Sequence, residues 1–346
     1  MNFDSARQNC ILFSVDENYL WPFMVSLYSA KKGAKNKDFA SVFAYNPLDF
    51  SEEQIASVEW AARWLEIDLT LKELPQIEEI ETINHVSKAS YNKFLAISQM
   101  QSDYVWFDSD TLMLAGWDEI FELFDTHEGT IALKAVYEPT NTLHVTSNNF
   151  ARKKAGLKYF NSGVMIIYPG NWTRLGFDLN WLEIAGRRTL LGFEFNDQDV
   201  FNYLTVGHTE SLPSQFNYFA KSLGLFEKCR SPEKKIVHFV GPQKPWHFSE
   251  IEKFFYRRLC DLAREFSLEL PEVSIFDLDS HNEYWTCQDK LIELFKEEGG
   301  PHSKLLLSSR KKSLVSILDW KAKLKAYLLF LLFKSVLKPR SKKTRS

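Results

Sequence analysis

Apolar and polar positions alternate in two rhythms along the first part of the chain. Ile11 to Val15 is an apolar run broken only by Ser14, the pattern of a buried strand. Tyr19 to Lys32 follows with helical spacing, and Pro22 falls in its first turn, where a missing N–H is tolerated. Phe39 to Tyr45 reads as a second strand. Ser51 opens a helix: Gln54 completes a capping box, and Ile55, Val58, Ala62 and Leu65 form one apolar face. Ile67 to Leu71 predicts a third strand, Ser90 to Gln101 a helix and Tyr104 to Phe107 a fourth strand. This β-α-β-α-β order predicts an α/β domain with a largely parallel, doubly wound sheet. Ligands of such sheets sit beyond the carboxyl ends of the strands. Asp16 follows the first strand and Asp108 the fourth.

The pattern then becomes less regular. Gly163 to Tyr168 and Ile236 to Val240 predict strands; Asn196 to Val206, Phe248 to Phe266 and Tyr284 to Glu297 predict helices. The stretch from Glu138 to Leu157 is polar and strandless, a candidate lid over an active site. No internal repeat is evident.

Composition adds three points. Apolar residues make up 45% of the 346 positions, enough for a sizeable core. Aromatics reach 15%, which suits either a large aromatic core or a protein that stacks bases and sugars. Cys10, Cys229, Cys260 and Cys287 form no C-x-x-C pair, the usage of a reducing compartment. The segment before Ile11 is polar, so neither a secretory signal nor an N-terminal anchor is expected, and the sequon Asn171-Trp172-Thr173 reads as accidental.

Two nucleotide-binding devices are absent. No G-x-G-x-x-G follows the first strand, and no G-K-[ST] occurs anywhere. A metal is the natural substitute for gripping a diphosphate. Three D-x-D triplets are present: Asp108/Asp110, Asp197/Asp199 and Asp277/Asp279. The first is wedged between Tyr104-Val105-Trp106-Phe107 and Thr111-Leu112-Met113-Leu114. Two unpaired carboxylates between apolar strands call for a cation partner. If the backbone stays extended there, both side chains share a face. The second triplet opens a helix, where acids also serve as ordinary caps. The third reads as a surface loop.

A further segment runs His238-Phe239-Val240-Gly241-Pro242-Gln243-Lys244-Pro245-Trp246-His247. Gly241 allows close backbone approach to an anion, and Lys244 suits phosphate. His238 is either a core histidine or a third metal ligand, and an imidazole would favour Mn²⁺ over Mg²⁺.

In this order the residues resemble glycosyltransferase family 8, which includes bacterial lipooligosaccharide galactosyl- and glucosyltransferases and glycogenin. The likeness runs from Ile11 to His247. It implies a GT-A-type single domain with a Rossmann-like, mostly parallel sheet. It also implies a retaining hexosyltransferase that takes galactose or glucose from a UDP-sugar. In the family, Asp-x-Asn-Tyr holds uracil and ribose, which points here to Asp16, Asn18 and Tyr19. Its Asp-x-Asp binds metal and diphosphate, as Asp108, Ser109 and Asp110 would, with His238 as third ligand to Mn²⁺ or Mg²⁺. Phe160-Asn161-Ser162-Gly163 matches the motif that lines the donor sugar. Asp197-Gln198-Asp199 matches the one at the reacting face, with Asp199 a candidate nucleophile and Gln198 a poor one. Gly241 and Lys244 match the phosphate contacts. Lys93 stands where the family has arginine, and a lysine cannot grip bidentately. Glu138 corresponds to an acid the family often carries.

Charge divides the chain. Residues 303–346 hold 13 Lys or Arg and one acid, Asp319, so a tail of +12 hangs on a body of −15. Ile317, Trp320, Leu324, Leu328 and Leu331 recur there at helical spacing, and the apolar run from Ala326 to Phe333 is too short to span a bilayer. This pattern predicts an in-plane helix on an anionic membrane. The expected organisation is a catalytic domain over 1–250, a helical part over 251–302 and the membrane-associating tail over 303–346, attached to the cytoplasmic face, with no nucleic-acid partner. A non-catalytic nucleotide-sugar module, or a glycogenin-like transferase with another acceptor, is the alternative reading.

Overall fold

The computed structural model describes residues 9–77, 80, 88–124, 129–138, 148–220, 233–241, 244–247 and 278–297. Ten strands are present among them: β1 (Cys10–Ser14), β2 (Ala40–Tyr45), β3 (Asp68–Glu73), β4 (Tyr104–Phe107), β5 (Thr111–Met113), β6 (Leu133–Tyr137), β7 (Phe160–Ile167), β8 (Thr209–Ser211), β9 (Tyr218–Phe219) and β10 (Ile236–His238). The helices are α1 (Leu20–Gly33), α2 (Glu52–Trp64), α3 (Asn92–Gln99), α4 (Phe150–Ala155), α5 (Pro169–Arg174), α6 (Phe177–Gly186), α7 (Asn196–Leu204) and α8 (Leu278–Glu297).

The central sheet has the order β3-β2-β1-β4-β7-β6-β8. β1, β2, β3 and β4 are mutually parallel, as the alternating pattern predicts. The capping box at Ser51 forms as read, with Gln54 N–H on the Ser51 hydroxyl and the Gln54 side chain on Ser51 N–H. β7 runs antiparallel to both β4 and β6. A second, three-stranded sheet has the order β5-β10-β9.

Successive strand residues face opposite sides of the sheet, and each side has its own core. Ile11, Phe13, Val105 and Phe107 enter one cluster with α1, α8 and the small sheet. Leu12, Tyr104 and Trp106 enter the other with α3, α6 and α7. Trp21, Trp106, Trp117, Trp172 and Trp285 are fully buried, so much of the aromatic excess is core. α1 is buried over most of its length, from Leu20 to Ala30, because the sheet covers it on one side and α8 on the other.

The stretch 138–157 carries no strand among its described residues: 139–147 lie outside them, and 150–155 form α4, whose first turn is capped by Asn149 accepting from Arg152 N–H. Other expectations are corrected. α8 starts at Leu278 rather than Tyr284, and its first turns are buried as well, with His281 edge-on against Phe239 at 5.0 Å between centroids. It therefore takes in Asp279, read above as loop. The helix expected over 248–266 and the tail 303–346 lie outside the described residues.

Candidate functional site

Strand direction assembles the site. Parallel pairing of β1 with β4 sets their carboxyl ends side by side, which brings Asp16 and Asp108 to one edge of the sheet. Because β7 is antiparallel to β4, its amino end returns to that same edge, and Phe107 faces Val164. Asn161, Ser162 and Gly163 therefore lie beside Asp108, whose N–H donates to Gly163 O at 2.8 Å. β10 pairs antiparallel with β5, opposing His238 to Thr111, and Phe239 N–H donates to Asp110 O at 2.9 Å.

Asp108, Ser109 and Asp110 do not continue the strand. Ser109 and Asp110 form a turn, which corrects the extended backbone expected above. The turn is held by buried groups. The Thr111 hydroxyl donates to Asp108 O at 2.7 Å, and the Ser26 hydroxyl from α1 lies 2.8 Å from Ser109 O and 2.5 Å from Thr111 O. Both carboxylates still converge, by folding back rather than by pleating. Ligand atoms of Asp108, Asp110 and His238 lie within 4.8 Å of one another.

Each carboxylate has a cation. Lys244 Nζ donates to Asp110 Oδ2 and to Phe239 O, while His238 Nε2 lies 3.2 Å from Asp110 Oδ1. Burial by itself would raise the Asp110 carboxyl, but Lys244 and His238 outweigh it and hold it well below the usual carboxylate range. Lys93 Nζ lies 3.0 Å from Asp108 and 2.7 Å from Asp197, and also reaches Ser162 O and Oγ. Burial opposes its charge, yet the two aspartates keep its ammonium above the usual lysine range. Asp197 is raised by burial despite Lys93. Lys93 thus ties the Asp108–Asp110 turn to the start of α7.

Near the end of β1, Asp16 caps a short 3-10 turn over 17–19 and accepts from Asn18 and Tyr19 N–H at 2.9 and 3.2 Å. Asn18 is exposed, while Tyr19 packs edge-on against Trp246 with centroids 5.8 Å apart. Burial raises the Tyr19 phenol, followed by the negative fields of Asp110, Asp16 and Asp108. Gly241 has φ +92°, a conformation that favours glycine.

At α7, Asn196 has φ +29° and lets the chain turn sharply into Asp197. Asp197 accepts from Ser162 Oγ at 2.9 Å. Gln198 Oε1 accepts from Asn161 Nδ2 at 2.9 Å, and its Nε2 donates to Glu138 and to Tyr159 OH, each at 3.1 Å. Asp199 is wholly buried. Its Oδ1 takes the Tyr159 hydroxyl at 2.6 Å, and its Oδ2 takes Asn149 Nδ2 and the N–H groups of Glu194 and Phe195.

Gly163 is required by proximity. A Cβ there would stand 2.1 Å from His238 Cε1, so any side chain evicts the imidazole. Sequence reading missed Ser26, Asn149, Tyr159 and Asn217. None of them stands in a motif, and only the distant partner of each reveals its task.

The donor set fits a divalent cation. Two carboxylates and one imidazole are ligands that a divalent metal ion accepts.

Comparison with known proteins agrees with this geometry. Residues 10–250 match the family model described as glycosyl transferase family 8. The lipopolysaccharide 1,3-galactosyltransferase of Salmonella typhimurium is 23% identical over 247 residues, covering 68% of this chain and 72% of that protein. Glycosyltransferase GlyF of Streptococcus pneumoniae is 23% identical over 253 residues, covering 70% of this chain but 58% of its own length. Among solved structures, the galactosyltransferase LgtC in complex with donor and acceptor sugar analogues superposes with a TM-score of 0.56 at 20% identity, covering 74% of this chain and 95% of that one. That likeness establishes a shared GT-A fold.

Proposed function

The chain belongs to glycosyl transferase family 8, and from that premise we propose that it moves galactose or glucose from a UDP-sugar to a glycan or glycolipid acceptor in lipopolysaccharide-type synthesis, with retention at the anomeric carbon. The convergence of Asp108, Asp110 and His238 beside Lys244 is the observation that carries this reading.

Asp108, Asp110 and His238 would hold manganese, which when bound offsets the charge of the donor diphosphate. Asp16, Asn18 and Tyr19 bind the uridine, supplying remote binding energy that fixes the donor. Asn161, Ser162, Asp197 and Gln198 line the hexose. The sugar–phosphate bond breaks, the acceptor oxygen bonds to the same carbon, and the acceptor proton passes to the departing phosphate. Lys244 meets the charge that grows on that phosphate. Asp199 is enclosed by four donors and serves as the clasp of the turn before α7 rather than as a nucleophile. This favours a front-face substitution over a double displacement through Asp199.

A UDP-sugar panel assayed for UDP release with Mn²⁺ and acceptor glycolipid tests the proposal. UDP-galactose or UDP-glucose is expected to turn over, and product NMR is expected to show the donor's configuration kept. Release from neither donor, or an inverted product, overturns it.

Among the described residues no helix is long and apolar enough to cross a membrane. The basic segment 303–346 supports attachment to the cytoplasmic membrane face, since each Lys or Arg near anionic lipid contributes on the order of 1 kcal/mol. Vesicles containing anionic lipid should float the full chain but not a chain ending at 302. Equal flotation removes the tail from the membrane reading.

A further inference from the structure

The metal-ligand cluster is backed by a line of amides that begins at a main-chain group. Gly163 N–H can only donate, and it meets Asn161 Oδ1 at 2.9 Å. That contact identifies the oxygen end of the Asn161 amide without ambiguity. The same oxygen lies 3.0 Å from the Asn217 side chain, so Asn217 must present its NH₂ there. The carbonyl end of Asn217 is thereby turned to His238 Nδ1, at 3.1 Å. An acceptor facing Nδ1 requires a proton on Nδ1. In the neutral ring the lone pair is then left on Nε2, the nitrogen that faces Asp110.

We propose that Asn217 is a positioning residue that fixes the tautomer of His238 so that Nε2 is the nitrogen offered to the metal. The inference rests on the metal-site reading above and adds a residue to it. Asn161, Asn217 and His238 are 6%, 2% and 4% exposed, so bulk water is poorly placed to substitute for either amide. The ring is confined as well, because Gly163 leaves room for the imidazole and for no side chain of its own. Asn217 sits in a 3-10 turn over Ser214–Asn217, directly before β9, which pairs with β10 and brings the amide alongside His238. Asn161 works in both directions. Its oxygen orients Asn217 toward the metal ligand, and its NH₂ orients Gln198 at the sugar end. One backbone amide thus sets the polarity of two side chains that serve different substrates parts.

A partner that orders a ligating histidine is worth about 10–100-fold in metal affinity. Free Mn²⁺ followed by electron paramagnetic resonance measures this without any turnover. Asn217→Leu is expected to weaken Mn²⁺ binding by about 10–100-fold, and long-range proton–nitrogen spectra of the folded variant are expected to show the proton no longer held on Nδ1, a change that a mere packing role would not produce. His238→Ala is the control for the site itself. If His238→Ala weakens Mn²⁺ binding and Asn217→Leu does not, the tautomer role is overturned while the metal site stands. If His238→Ala leaves Mn²⁺ binding unchanged, the metal reading is what fails. Should Asn217→Leu not fold, long-range proton–nitrogen spectra of the Mg²⁺-loaded wild-type chain decide the matter: Nδ1 is expected to carry the proton, and a spectrum with the proton on Nε2 overturns the proposal.

Discussion

Alanine at Asp110 is expected to reduce hexosyl transfer by at least about 10³-fold, the largest loss of any single substitution in this protein. A cation that offsets leaving-group charge is worth several kcal/mol, and each 1.36 kcal/mol is about tenfold in rate. Asp110 is the hub of the cluster, because it faces both His238 and Lys244. Removing it deletes one of the proposed metal ligands and, among the described residues, leaves the buried Lys244 ammonium with the Phe239 carbonyl. Two faults arise together, so excess Mn²⁺ is expected not to restore activity. Asp110→Asn separates them, since it preserves volume and one acceptor while losing the charge. Steady-state assays across a Mn²⁺ titration, with a melting curve for each variant, read the outcome. Near-normal turnover in folded Asp110→Ala would remove the metal assignment.

Alanine at Lys244 is expected to lower kcat by about 10²–10³-fold while changing KM far less, the scale for losing one preorganised group aimed at developing charge. The Lys244 ammonium is held between Asp110 and Phe239 O at the end of β10. Such a charge is already desolvated and already placed. Its interaction strengthens only as the sugar–phosphate bond breaks, which is why the effect belongs in kcat. Arginine is expected to rescue poorly, because a planar fork does not fit a seat shaped for a compact ammonium. A loss confined to KM would assign Lys244 to uniform donor binding instead.

The two predictions draw on unequal amounts of sequence information. Asp110 and Lys244 stand 134 positions apart, and each was visible in its own motif. Their direct pairing was not. Asp199 shows the opposite case. Its motif marked it as reactive, and its surroundings instead hand it four donors from Tyr159, Asn149, Glu194 and Phe195. A carboxylate reads identically in either role until its neighbours are known. Lys93 shows a third case. Its difference from the family's arginine was legible, while its bridging of Asp108 and Asp197 depends on where α3 lies against β4 and α7.

The sequence by itself determined the parallel half of the sheet, the capped start of α2 and the placing of Asp108 at a strand end. These signals are local. A buried strand, a capping box and an acid at a strand end are set by residues within a few positions of one another. Tertiary structure decided the rest. Alternation along β7 looks the same whichever way the strand points, yet only its antiparallel run returns Asn161 and Gly163 to the edge where Asp108 stands. The Asp108–Asp110 turn is likewise held from α1, by a serine 83 positions earlier. Buried polar groups must find partners in the low-dielectric interior, and the chain's path, not its local spacing, selects which partners those are.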